Sequence, residues 1–109
     1  MDSVTFEEFK KVEIKIGKVL SVEKVENADK LLKLVVDFGP PIGQRQIVSG
    51  IAEHYSSKDL EGKKLPFIVN LEPRKFKGVE SQGMLMAVSG GKPVLLLPAE
   101  DVLEGAEIV

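Results

Sequence analysis

The clearest signal in the chain is a change of hydrophobic period near its start. Thr5 followed three residues later by Glu8 has the form of a capping box, which predicts a short entry helix over Phe6–Lys11. From Val12 the period becomes two: Val12, Ile14, Ile16, Leu20 and Val22 share one parity, while Lys11, Glu13 and Lys15 take the other. That alternation predicts a half-buried strand. Gly17 in its middle predicts a bulge or sharp coil where the strand bends.

Turn chemistry divides the chain beyond this strand. Glu26-Asn27-Ala28-Asp29 is a turn by composition, Lys30 to Phe38 a second strand, Gly39-Pro40-Pro41-Ile42-Gly43 a tight connection, and Gln44 to Ser49 a third strand. Ser56 to Gly62 provides a cap, one turn of helix and a terminating glycine. Leu65 to Leu71 reads as strand four, with Pro66 at its edge or first residue because proline cannot donate to a ladder. Met84 to Val88 reads as strand five. Met84 and Met86 share one face of it and Leu85 and Ala87 the other, and parity alone does not say which face is inward. Five strands and one short helix after the third predict an all-β protein, a five-stranded OB-fold barrel of the Greek-key type, as one domain over 1–109. The apolar run Val94 to Leu97 and the pair Ile108-Val109 exceed what such a barrel needs. Residues 90–109 are therefore expected to form a C-terminal strand extension used for dimerisation.

Composition narrows the chemistry. With no Cys and one His, His54, thiolate metal sites and His-pair sites are excluded, and a Ser-His-Asp triad would depend on a residue placed in a turn. No dinucleotide fingerprint or Walker loop is present. No catalytic residue, cofactor or metal is expected. The acidic start lacks a signal peptide, and no apolar run approaches the roughly 18 residues that span a bilayer, which makes the cytoplasm the expected compartment and a membrane partner unexpected.

A formal net charge of −2 argues at first against nucleic acid, but the charges are unevenly placed. Glu100 to Val109 holds four acids and no base, whereas Arg74, Lys75 and Lys77 surround Phe76 within four positions. Cations around an aromatic suit phosphate and base together, although a solvated basic loop and a ring that plugs a core gap explain the same residues. Ser49 and Ser81 are open to the same two readings: turn caps, or readers of unpaired bases beside cations.

Several motifs in order break the tie. Val12-Glu13-Ile14-Lys15-Ile16-Gly17-Lys18-Val19, Ala28-Asp29-Lys30-Leu31, Val48-Ser49-Gly50-Ile51, Asn70 to Lys75 and Glu80-Ser81-Gln82-Gly83-Met84-Leu85 resemble the signature of the tRNA-binding OB domain family. That module occurs at the C-terminus of many methionyl-tRNA synthetases, in synthetase-associated cofactors, and as small homodimers. The resemblance covers Phe9 to Val109. With an initial Met and no catalytic domain, the chain resembles the free-standing form, of the archaeal methionyl-tRNA synthetase beta subunit type. The resemblance implies non-catalytic, structure-directed tRNA binding, a homodimer, and an auxiliary role beside methionyl-tRNA synthetase. Carried over by motif, the tRNA-binding residues are Asn27, Lys30, Lys33, Arg45, Ser49, Asn70, Arg74, Lys75, Lys77, Ser81, Gln82 and Met84. Val36 to Gly43 also resembles a peptide-binding secretion-chaperone branch of the same superfamily, which is the alternative function. That branch departs from the tRNA binders at the two sites where this chain keeps Val-Ser-Gly-Ile and Glu-Ser-Gln-Gly-Met.

Overall fold

A computed structural model describes all of residues 1–109. Helix α1 (Phe6–Lys10) leads into strands β1 (Ile14–Val25), β2 (Ala28–Asp37) and β3 (Gln44–Ser49), followed by helix α2 (Ser57–Leu60) and strand β4 (Lys64–Ile68). Five short strands complete the chain: β5 (Arg74–Phe76), β6 (Val79–Ser81), β7 (Met84–Leu85), β8 (Ala87–Ser89) and β9 (Pro93–Leu95). The main sheet has five strands in the order β3-β2-β1-β4-β7, and β5-β6 and β8-β9 are separate two-stranded ribbons. This is the all-β, OB-like architecture expected.

The long first strand serves both halves of the sheet. Its beginning pairs with β4 from Ile14↔Ile68 to Lys18↔Lys64, and its end pairs with β2 from Lys18↔Asp37 to Val25↔Ala28. The bend comes from a bulge at Leu20, because Val19 faces Val36 while Ser21 faces Val35. The extra residue reverses the parity: Val19 is buried and Leu20 is exposed. Gly17 is in regular register with Leu65 and is not the bulge. Its lack of a side chain serves packing, since a Cβ there would lie 2.4 Å from Val36 Cγ1 and 2.6 Å from Phe38 Cε1. The expectation of a bulge at Gly17 is thus corrected by three positions.

The core gathers Val19, Leu34, Val36, Phe38, Ile47, Leu65 and Phe67 from the strands, with Leu60 of α2 as a plug at one end. Phe38 and Phe67 meet edge to face, 5.5 Å apart at 87°. Each such side chain, fully buried, contributes about 1.5–3 kcal/mol of transfer free energy. Helix α2 begins where Ser56 N–H donates to Asp59 Oδ2 at 2.8 Å, and the chain reverses at Gly62 with φ +82°.

Strand four is shorter than expected and ends at Ile68. Pro66 is buried at its third position, between β1 and β7, rather than at an edge or first residue. It is tolerated there because Ile16, the residue opposite, bonds the C-terminal segment instead: its N–H donates to Ala106 O and its carbonyl accepts from Gly105 N. Pro66 O in turn accepts from Met86 N at 3.0 Å. That bond marks a corner, so the single strand expected over Met84–Val88 is two. Met84 and Leu85 pair with β4, and Ala87 to Ser89 pair with β9. Leu85 packs on the core and Met84 points outward, 46% exposed.

Residues beyond β9 return to the barrel. Gly105, Ala106 and Ile108 hydrogen-bond the free edge of β1 at Ile14 and Ile16. Lys64 clips the same segment through Asp101 (2.8 Å), Glu104 (3.6 Å) and the carbonyl of Val102 (2.6 Å). The hydrogen bond and charge of Asp101 raise the Lys64 pKa, and the Lys64 hydrogen bond lowers that of Asp101.

Candidate nucleic-acid interface

The segment Glu72 to Gly83, left as a connection between the expected fourth and fifth strands, contains a β-hairpin. Arg74 pairs with Ser81, Lys75 with Glu80 and Phe76 with Val79. The two-residue turn Lys77-Gly78 has φ of +53° and +82°, the type I′ pattern whose twist suits a hairpin. A Lys-Gly pair flanked by Phe76 and Val79 was the available sequence signal, weaker than Asn-Gly or Asp-Gly because lysine tolerates positive φ poorly.

Four of the polar residues expected to contact RNA have their side chains hydrogen-bonded within the protein, Ser81 buried, Arg45 and Gln82 half-buried and Asn70 exposed. Ser81 is 3% exposed; its Oγ accepts from Val48 N at 3.0 Å and donates to Gly83 O at 2.8 Å. Gln82 Oε1 accepts from Gln46 N at 3.0 Å, and Gln82 N donates to Gln46 O at 2.8 Å. Gln46 Nε2 donates to Glu80 O at 2.8 Å. No ladder joins β3 to β6 or β7, so these side chains close the barrel where backbone pairing would otherwise run. Gly83 lets the seam shut, because a Cβ would sit 2.8 Å from Ile68 O. Arg45 donates its guanidinium to the carbonyls of Val69 and, at 3.3 Å, Gln82. Asn70 accepts from Glu13 N at 2.8 Å and donates to Lys11 O at 2.5 Å, tying the end of β4 to the start of β1. The expectation that Ser81 touches RNA directly is therefore revised: its hydroxyl is spent inside the wall.

The remaining residues face outward. The chain's three ion pairs involve Lys33 and Lys64 only, and Lys33 meets Glu23 at 3.3 Å. Lys30, Arg74, Lys75 and Lys77 are exposed and unpaired. The Arg74 guanidinium carbon lies 5.0 Å from the centroid of the Phe76 ring. Asn27, at φ +61° in the β1–β2 turn, lies across from the hairpin tip. Asn27, Lys30, Lys75, Phe76 and Lys77, with Asp29, line one cleft of about 620 Å³. A second, of about 460 Å³, lies over Arg45, Asn70, Pro73 and Gln82. Ser49 is half-buried at the end of β3 opposite Leu32, and Met84 is exposed beside the seam. Phe76 was not among the expected contacts, although its ring lines the first cleft; Gln46 was also missed, because nothing local marks a glutamine whose partner is 36 residues away.

A family model described as "Putative tRNA binding domain" matches residues 14–107. This chain belongs to that family. It is 48% identical to the methionine–tRNA ligase of Archaeoglobus fulgidus over 108 residues, 98% of this chain and 16% of the ligase. The chain thus spans about one-sixth of the length of the curated relatives it matches. Among solved structures, the MetRS-related protein from Pyrococcus horikoshii is 43% identical with a TM-score of 0.89, each chain covering 100% of the other. The chaperone CsaA from Bacillus anthracis superposes with a TM-score of 0.88 at 27% identity, over 99% of this chain and 100% of that one. Fold likeness alone does not separate the two kinds of neighbour. The family model and the higher identity to the synthetase relatives favour tRNA.

Proposed function

We propose that this domain binds tRNA without catalysing a reaction on it, in the cytoplasm, and raises the effective affinity of methionyl-tRNA synthetase for its substrate. One observation carries the reading: in a chain of this family, Lys30, Lys75 and Lys77 converge with Asn27 and Phe76 on one cleft while no internal carboxylate pairs with them. Lys33, Ser49, Arg74 and Met84 extend the contact surface. Arg45, Asn70, Ser81 and Gln82 hold it in shape.

Phosphate contacts release counterions, so affinity should fall by about 0.7–0.9 log units per tenfold rise in salt for each neutralised phosphate. Four unpaired cations predict a log–log slope of roughly −3 to −4 for tRNA titrated across a salt series. A flat response, or no binding at low salt, refutes the reading.

The same reading includes a homodimer. Val88, Val94, Leu96, Leu97 and Leu103 are exposed, and an apolar groove of about 380 Å³ runs between Met86, Leu96, Leu97 and Ile108. Exposed apolar surface of this kind on the extension fits pairing with a second copy. That groove also favours the second reading, peptide binding as a chaperone, which direct titration with unfolded polypeptide would reveal.

A further inference from the structure

We propose that the cleft between the β1–β2 turn and the β5–β6 hairpin holds one unstacked nucleotide, its base against Phe76 and its phosphate among Lys30, Lys75 and Lys77. This deepens the tRNA-binding reading and rests on it. Backbone contact to a duplex needs only cations on a convex face. Here the cations rim a concavity of about 620 Å³, within the ~300–1,000 Å³ range of small-molecule sites. A paired base cannot enter such a space, whereas bases in loops and bulges can be splayed out and stacked on aromatic rings.

The lining has the parts that one nucleotide needs. Phe76 is half-buried, so its ring is held, and Arg74 stands 5.0 Å from its centroid. Leu31 adds apolar lining. Asn27 offers both a donor and an acceptor to a base edge, and Asp29 offers acceptors only. Asp29 also opposes a run of phosphates, since a carboxylate repels each one; a single phosphate beside three ammonium groups is the better match. The chain's two non-glycine residues with positive φ, Asn27 and Lys77, both line this cleft. Each value answers the demand of a two-residue turn, Lys77-Gly78 in one wall of the cleft and Glu26-Asn27, between the paired Val25 and Ala28, in the other.

The test compares three RNAs on the whole chain: a tRNA transcript, a fully paired RNA hairpin, and the same hairpin with one bulged 2-aminopurine. The bulged hairpin should bind about tenfold more tightly than the paired one, from base–aromatic stacking, with a change in 2-aminopurine emission. Phe76→Leu should abolish that preference and weaken tRNA binding about tenfold at an unchanged thermal midpoint, while Phe76→Tyr, which keeps an aromatic face, should retain the preference. Equal binding of the two hairpins by the unaltered chain, or undiminished tRNA binding by Phe76→Leu, overturns the nucleotide site and leaves the tRNA reading standing. No binding of the transcript at low salt overturns both.

Discussion

Ser81 shows what a motif can and cannot say. Its position beside Gln82, Gly83 and Met84 identified the family, yet the hydroxyl is consumed by Val48 N and Gly83 O. Ser81→Ala would leave the Val48 amide without this partner in a buried wall, at a cost of about 1–3 kcal/mol. Denaturant unfolding should therefore show a lower midpoint for Ser81→Ala, and RNA affinity measured on the folded fraction should change little. A large loss of affinity at unchanged stability would instead return Ser81 to direct contact. Met84, exposed beside it, should behave in the opposite way: Met84→Ala costs binding and little stability. The sequence marked both residues as belonging together. Burial separates them: Ser81 turns into the wall between Val48 N and Gly83 O, while Met84 lies on the outward face of a two-residue strand, a choice that parity could not decide.

At the scale of elements, the first three strands and both caps were legible because each is written locally. Alternation, turn residues and the Thr5/Glu8 box all lie within a few positions of what they specify, and Thr5 and Glu8 do exchange hydrogen bonds at 2.9 and 3.0 Å. The second half was less legible. Strand four ends early and strand five breaks at Met86 because distant partners, β7, β9 and the C-terminal segment, decide where pairing stops. Helix α1 illustrates the same dependence. It buries no residue, leaving Phe6 and Phe9 exposed, and its link to β1 is held by the Asn70 amide through Lys11 O and Glu13 N. Asn70→Ala removes two exposed hydrogen bonds, worth about 1–2 kcal/mol together. Faster amide exchange and proteolysis over 5–13 with an intact barrel is the expected result; loss of the whole fold would show that the clamp supports more than the helix.

For the whole molecule, the Lys64 clip joins the extension to the barrel and has a defined pH window. The folded Asp101 carboxyl titrates below its ordinary value, so its contribution is complete above the unfolded value of about 3.9 and disappears as pH falls through the lower folded one. Folded Lys64 titrates above its ordinary value, so its contribution is complete below the unfolded value of about 10.4 and is lost as pH rises through the higher one. The protection factor of the Ile16 amide, which donates to Ala106, taken relative to the intrinsic exchange rate at each pH, should stay high between these limits and fall beyond both, and Asp101→Asn should lower it within the window. If the extension also pairs two copies, light scattering at micromolar concentration should report twice the 11.9 kDa chain mass, and Leu97→Asp should return it to one. The closing seam of the barrel has a consequence of another kind. A backbone ladder accepts almost any residue but proline, so few single substitutions undo it. Here β3 is joined to β6 and Gln82 by a serine and two glutamines beside a single backbone bond, Gln82 N to Gln46 O, and closure is written mainly in side chains. The barrel therefore has a site at which single replacements can open, shift or re-lock it without touching the core, a natural point of entry for redesigning the fold.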